Sequence, residues 1–164
     1  LSYYKIIKEN SLKKSKKNFV VHGSNLPRGR GFSPISWNIL KGKKEIFLCL
    51  FEIGKNKIVD SGNIFLKKKI IFKGNELINE IRHQISLKII KMCCNIMSKK
   101  ISFFGYKQSG KATYFRKRNK LDSELDINKS LKSQFNLMRI ADNEKYPLFF
   151  NYKNKKFIIK IFDK

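Results

Sequence analysis

The side chains in this sequence most able to do chemistry by number are cations, and their spacing points to phosphate recognition. Arg116-Lys117-Arg118, with Lys111 and Lys120, places five positive charges within ten residues beside Tyr114 and Phe115. Lys153, Lys155 and Lys156 alternate with Tyr152 and Phe157. Near the start, Pro27-Arg28-Gly29-Arg30-Gly31 sets two arginines on glycine-rich backbone that can approach a phosphate closely. Cations neutralise phosphates and rings stack on unpaired bases, so this mixture reads as an RNA-binding surface. A charge run on its own is usually only a solvated face. Runs in several loops and at both ends carry more weight.

Residues suited to bond making are scarcer. Glu45, Glu52 and Asp60 fall on expected strands, and Asp122, Glu124 and Asp126 surround an expected helix start, where capping accounts for them. No clustered carboxylate pair of the two-metal kind emerges. His22 and His83 lie far apart, and neither accompanies a nucleophile. Gly105-Tyr-Lys107-Gln-Ser-Gly-Lys111 lacks the Walker spacing and the hydroxyl residue that follows its lysine. Cys49, Cys93 and Cys94 have no zinc-knuckle spacing and read as packing residues. No enzyme, metal or cofactor is expected on these grounds.

The whole composition agrees with the basic clusters. Lys and Arg number 37 against 12 Asp and Glu, a formal charge of +25. Such an excess opposes compaction unless a polyanion neutralises it. The apolar runs around Ile46–Phe51 and Ile158–Ile161 are far shorter than the ~20 residues a membrane span needs, which leaves nucleic acid. Abundant Ile, Lys and Asn, all with A/T-rich codons, suggest an organellar genome and a mitochondrial location.

The elements that must position these side chains follow from periodicity. Residues 1–44, with Lys13-Lys14-Ser15-Lys16-Lys17 and the Gly/Arg segment, read as a basic arm. Residues 45–157 read as the folded domain and 158–164 as a tail. Glu45–Ile53 is a near-continuous β-favouring run suited to a central strand, Gly54-Lys55-Asn56 a turn, Lys57–Ser61 a second strand and Ile64–Phe72 a third. Asn75 caps a long helix whose stripe is Ile78, Ile81, Ile85, Ile89, Met92 and Ile96. Lys100–Tyr106 follows as a fourth strand, parallel to the first through a crossover. Ser123 and Asp126 open a second helix with stripe Ile127, Leu131 and Phe135, and Leu137–Ile140 closes as a short strand. Three strands, helix, strand, helix, strand is an α+β arrangement with a mixed sheet, of the ribonuclease-H-like kind.

With that order in place, the sequence resembles the eleventh protein of the small ribosomal subunit, the universal platform protein, in a divergent mitochondrial form. Ile140-Ala-Asp142 followed by Pro147 and Lys155-Lys156 keeps the offsets of that family's C-terminal pattern, and Gly110-Lys111 keeps part of its glycine loop. Leu148-Phe149-Phe150 replaces the family's His-Asn-Gly, with Asn151 the nearest asparagine. The resemblance implies a structural role on small-subunit rRNA, beside neighbouring small-subunit proteins and near the messenger exit path. The rRNA contacts it implies, with those of the basic clusters, are Arg28, Arg30, Lys107, Lys111, Arg116, Lys117, Arg118, Lys120, Asn151, Lys153, Lys155 and Lys156. Alternatives are a large-subunit ribosomal protein of similar fold and a ribonuclease-H-like nuclease using Glu52 or Asp60.

Overall fold

The computed structural model describes residues 7, 9–53, 58–98 and 104–163. The apolar run in its middle becomes β3 (Glu45–Glu52), paired antiparallel on one side with β1 (Phe19–His22) and on the other with β4 (Ile64–Ile71). This strand is apolar almost throughout because both its faces are covered. Ile46, Leu48 and Leu50 join the largest core cluster, while Cys49 and Phe51 pack with Leu26 and Ile64 on the opposite face. β1 obeys the same alternation. Phe19 and Val21 lean on the large cluster and Val20 on the smaller one, which sends His22 to the smaller cluster's side.

The 20-residue helix α3 (Ile78–Met97) covers the large cluster with the expected stripe: Ile81, Ile85 and Met92 are buried, and Ile89 and Ile96 pack against them. Its first turn differs from the expectation. Leu77 takes the N-cap position, and Glu80 reaches back to accept from the Leu77 N–H at 2.9 Å. Glu76 instead accepts from the N–H groups of Lys73 and Gly74, at 2.6 and 2.9 Å. It also pairs with Arg139 at 3.0 Å, with both side chains almost fully buried. That ion pair ties the start of α3 to the end of α4 (Leu131–Arg139).

The ribonuclease-H-like order is not the one adopted. Residues 54–57, with the expected turn, lie outside the described residues, and Ile58–Asp60 form a bend and turn where a second strand was expected. The fourth strand is reduced, among the described residues, to one antiparallel bridge between Tyr106 and Ile64, with residues 99–103 outside the description. Leu137 and Met138 are not a strand but the last turns of α4, where they face the core. That helix is capped by Ser130, whose hydroxyl accepts from Ser133 N–H at 3.2 Å. Ser123 ends a short 3-10 helix (Lys120–Ser123) instead.

The boundaries at 44 and 157 also cut through folded structure. The expected arm supplies a short helix, α1 (Glu9–Leu12), then β1, β2 (Arg30–Gly31) and α2 (Pro34–Leu40), and Ile39 of α2 is fully buried in the large cluster. β2 pairs in parallel with β5 (Tyr114–Phe115). The tail forms a hairpin of β6 (Leu148–Tyr152) and β7 (Lys155–Ile159). Its two-residue turn sets Lys153 and Asn154 at φ 45° and 62°, the left-handed pair that matches the twist of the strands. Ile159 and Ile161 close a third cluster with Leu125, Met138 and Leu148. Among the described residues no helix is long and apolar enough to cross a membrane.

Candidate active site

The densest polar geometry gathers where β1 ends. His22 is 8% exposed, and its two ring nitrogens face different acceptors. Nε2 lies 2.8 Å from the carbonyl oxygen of Gly29. A carbonyl oxygen only accepts, so the proton is assigned to Nε2. Nδ1 is then the nitrogen with the free lone pair, and it lies 3.5 Å from Oδ2 of Asp60. The same Oδ2 accepts from the Gly31 N–H at 2.9 Å.

Asp60 reaches this position through its backbone. Its φ of 54° is left-handed, a conformation that asparagine and aspartate tolerate better than most residues. Gln108 holds that turn in place, its side-chain N–H groups donating to the carbonyls of Asp60 at 2.8 Å and Gly62 at 2.9 Å. The other end of the Gln108 amide accepts from Arg30, at 3.2 Å from Nε and 2.6 Å from Nη2.

The loop from Gly23 to Gly31 is laced to the segment around β5. Gly29 N–H donates to Thr113 Oγ1 at 2.8 Å, Arg30 N–H to the Thr113 carbonyl at 2.9 Å, and Phe32 N–H to the Phe115 carbonyl at 3.1 Å. Glycine is required at Gly31, where φ is 92° and a Cβ would stand 2.5 Å from the Phe115 carbonyl oxygen. The Gly-Arg segment that suggested a pliable arm is therefore a fixed loop. It holds an imidazole beside a carboxylate, an arrangement fitted to passing a proton to and from a reacting group.

The twelve residues expected to meet RNA are dispersed, and several are engaged within the protein. Arg30 is held by Gln108 and lies within 3.3 Å of the Tyr114 hydroxyl. Arg116 lies over the Trp37 ring, 4.8 Å from its centroid, and forks onto both oxygens of Asp122. The hydrogen bond from Arg116 is the main reason that the Asp122 carboxyl is held below its ordinary value. Arg118 is 8% exposed, donating to the Asp122 carbonyl and Ser123 hydroxyl, and burial lowers its proton affinity.

On the hairpin, Lys156 sits 3.6 Å from the centre of the Phe149 ring, Lys153 lies over Tyr152, and Asn151 donates to Glu124 at 2.6 Å. Arg28, Lys107, Lys111, Lys117, Lys120 and Lys155 are exposed. Of the twelve, Arg28 and Arg30 lie on the loop that holds His22. His22 and Gln108 had no role in the expectations from sequence, and Asp60 figured there only as a carboxylate of the nuclease alternative. The available signal was a β-favouring run, Phe19-Val20-Val21, ending on a histidine directly before a Gly/Pro loop. Among the described residues no group of three or more His, Cys, Asp or Glu is placed to hold a metal ion.

The fold defines a class: the chain has the Rossmann-like α/β fold of formyltransferases. Methionyl-tRNA formyltransferase from Clostridium thermocellum superposes with a TM-score of 0.78 and 27% identity, over 94% of this chain and 66% of that one. HypX from Aquifex aeolicus, solved in complex with tetrahydrofolic acid, shares the fold at a TM-score of 0.66 and 15% identity, over 87% of this chain and 25% of that one.

In sequence, the chain is 31% identical over 163 residues to the bifunctional polymyxin resistance protein ArnA of Wigglesworthia glossinidia brevipalpis, covering 96% of this chain and 24% of that protein. It is 29% identical over 167 residues to methionyl-tRNA formyltransferase of Pelagibacter ubique, covering 97% of this chain and 52% of that protein. The chain thus spans about a quarter to a half of the curated relatives it matches. No protein-family profile matches it.

These likenesses overturn the ribosomal reading. The platform-protein resemblance rested on a few offsets in a lysine-rich tail, and that tail folds as a hairpin against the core of a fold shared with a methionyl-tRNA formyltransferase. Neither small-subunit rRNA with its protein neighbours nor the large-subunit and nuclease alternatives find support, and the expectation of a non-enzymatic scaffold falls with them.

Proposed function

We infer that this chain carries the proton-handling centre of a formyltransferase, which moves a formyl group from a tetrahydrofolate-borne donor to an amine. The observation that carries this reading is the buried His22 beside the partly exposed carboxylate of Asp60, on a fold shared with methionyl-tRNA formyltransferase. In such a transfer the amine nitrogen attacks the formyl carbon. A new C–N bond forms, the old one to the donor nitrogen breaks, and one proton leaves the attacking amine and is delivered to the departing nitrogen. His22 takes that proton on Nδ1 while Nε2–H stays on the Gly29 carbonyl. The carboxylate of Asp60, steadied by the Gly31 N–H, stabilises the imidazolium that results. Gln108 fixes the Asp60 turn so that the pair keeps its separation while the proton moves.

The donor is a substrate, and the acceptor is an amine on either a methionyl-tRNA or a sugar, the classes named for the similar proteins. The test is release of tetrahydrofolate when the chain is mixed with formyl-tetrahydrofolate and each acceptor in turn. His22→Ala and Asp60→Asn are each expected to slow transfer about 10²–10⁴-fold, the usual worth of a positioned acid–base group. Wild-type turnover that survives both substitutions would remove the pair from the reaction.

A further inference from the structure

The geometry points to a second site, a groove that binds the phosphate or diphosphate group of a small molecule, on the loop that carries His22 but lined by other residues. The groove has a volume of about 460 Å³ and lies between the Ser24–Gly29 stretch, the α2–β3 connection and Thr113. That volume suits a small ligand.

Its walls carry four cations, Arg28, Lys41, Lys43 and Lys44, against a single carboxylate, Glu45. Glu45 is already bound to Lys69 at 2.8 Å. Lys41 lies over the Phe115 ring, 4.7 Å from its centroid. Among the described residues no carboxylate pairs with Arg28, Lys43 or Lys44. Three uncompensated cations in one concave site raise the local anion concentration and supply charge-assisted donors.

Two hydroxyls add direction. The Ser24 hydroxyl, in a residue 2% exposed, is buried on the groove's lining with no hydrogen-bond partner. A buried hydroxyl normally has a partner, so this one is a group awaiting an acceptor. Thr113 Oγ1 already accepts from Gly29 N–H, which leaves its own O–H free to donate. Phosphate oxygens accept from every one of these groups. The basic loop 107–120, which looked like an RNA surface, thus contributes Thr113 to this site, while its arginines are engaged elsewhere.

The test is a titration of the full chain with inorganic pyrophosphate at constant ionic strength, followed by amide chemical shifts. The expected result is saturable shifts at Ser24, Gly29 and Thr113. The affinity should fall roughly tenfold or more in the double variant R28Q/K44Q, since charge-assisted bonds are the strong ones. Ser24→Ala should weaken binding less, and the hairpin double variant K153Q/K155Q should leave it unchanged. Equal affinity in R28Q/K44Q and wild type would overturn the site. So would shifts spread equally over the hairpin, or tighter binding of an RNA stem-loop that moves both regions, because the groove would then be one part of a general polyanion surface. Binding is read without any formyl transfer, so its failure is separate from a failure of the catalytic reading.

Discussion

At the scale of single residues, the consequential choices are charges placed where charge is expensive. Glu76 and Arg139 are both buried, so each is tolerable only because the other is present. Burial pushes the Glu76 carboxyl up, but hydrogen bonds from Gly74, its own N–H and Lys73, with the Arg139 guanidinium, outweigh that and hold it below its ordinary value. The unfolded chain therefore binds this proton at a higher pH than the folded one. The pair's stabilisation is complete above the unfolded value of about 4.3 and is lost as pH falls through the lower folded value. Glu76→Ala should cost about 3–5 kcal/mol in a denaturant titration near neutral pH, with the gap to wild type narrowing in acid. A loss that stays constant down to strongly acidic pH would show that the carboxylate is not what matters there. Neither this pair nor His22–Asp60 is visible in the sequence, since the partners are 63 and 38 positions apart and no short motif joins them.

At the scale of elements, legibility followed how much of an element's cause lies within itself. α3 and β3 were plain because a periodic stripe and an unbroken apolar run state which faces are buried. β2 and β5 were not, because two residues make no pattern and each is a strand only through the other. The turn at Ile58–Asp60 was misjudged because its β-branched residues favour a strand, yet the backbone bends to present Asp60. The β2–β5 contact gives the test for this scale. Gly31→Ala combines a strained φ with a Cβ driven into the Phe115 carbonyl. It should cost about 2 kcal/mol or more by denaturant midpoint. It should also cut formyl transfer, because the Gly31 N–H that steadies Asp60 moves with it. Retention of both stability and turnover would mean that the loop tolerates a shift of β2.

At the scale of the whole molecule, the +25 charge was legible at once and its meaning was not. Net charge speaks to partners and self-repulsion, and an enzyme with a basic surface satisfies the same arithmetic as an RNA scaffold. The structure shows how the excess is carried. Cations lie over neighbouring rings, fork onto scarce carboxylates, or stand exposed on loops and the hairpin. Most of the repulsion is between exposed charges, which salt screens. The melting temperature should therefore rise from low to high concentrations of sodium chloride, by scanning calorimetry. A fall would place the dominant electrostatics in the few ion pairs, Glu76–Arg139 and Arg82–Asp142 among them.

The stitches that hold the His22 loop span long stretches of chain: 29 positions from Gly31 to Asp60, 78 from Arg30 to Gln108 and 84 from Gly29 to Thr113. During synthesis the histidine emerges before all three partners, and its loop is held only in part, by Asp60, until Gln108 and Thr113 have also left the exit tunnel. A growing chain therefore displays β1 and its neighbours well before it can do chemistry. Competence arrives in steps, a delay written into the order in which the residues are made.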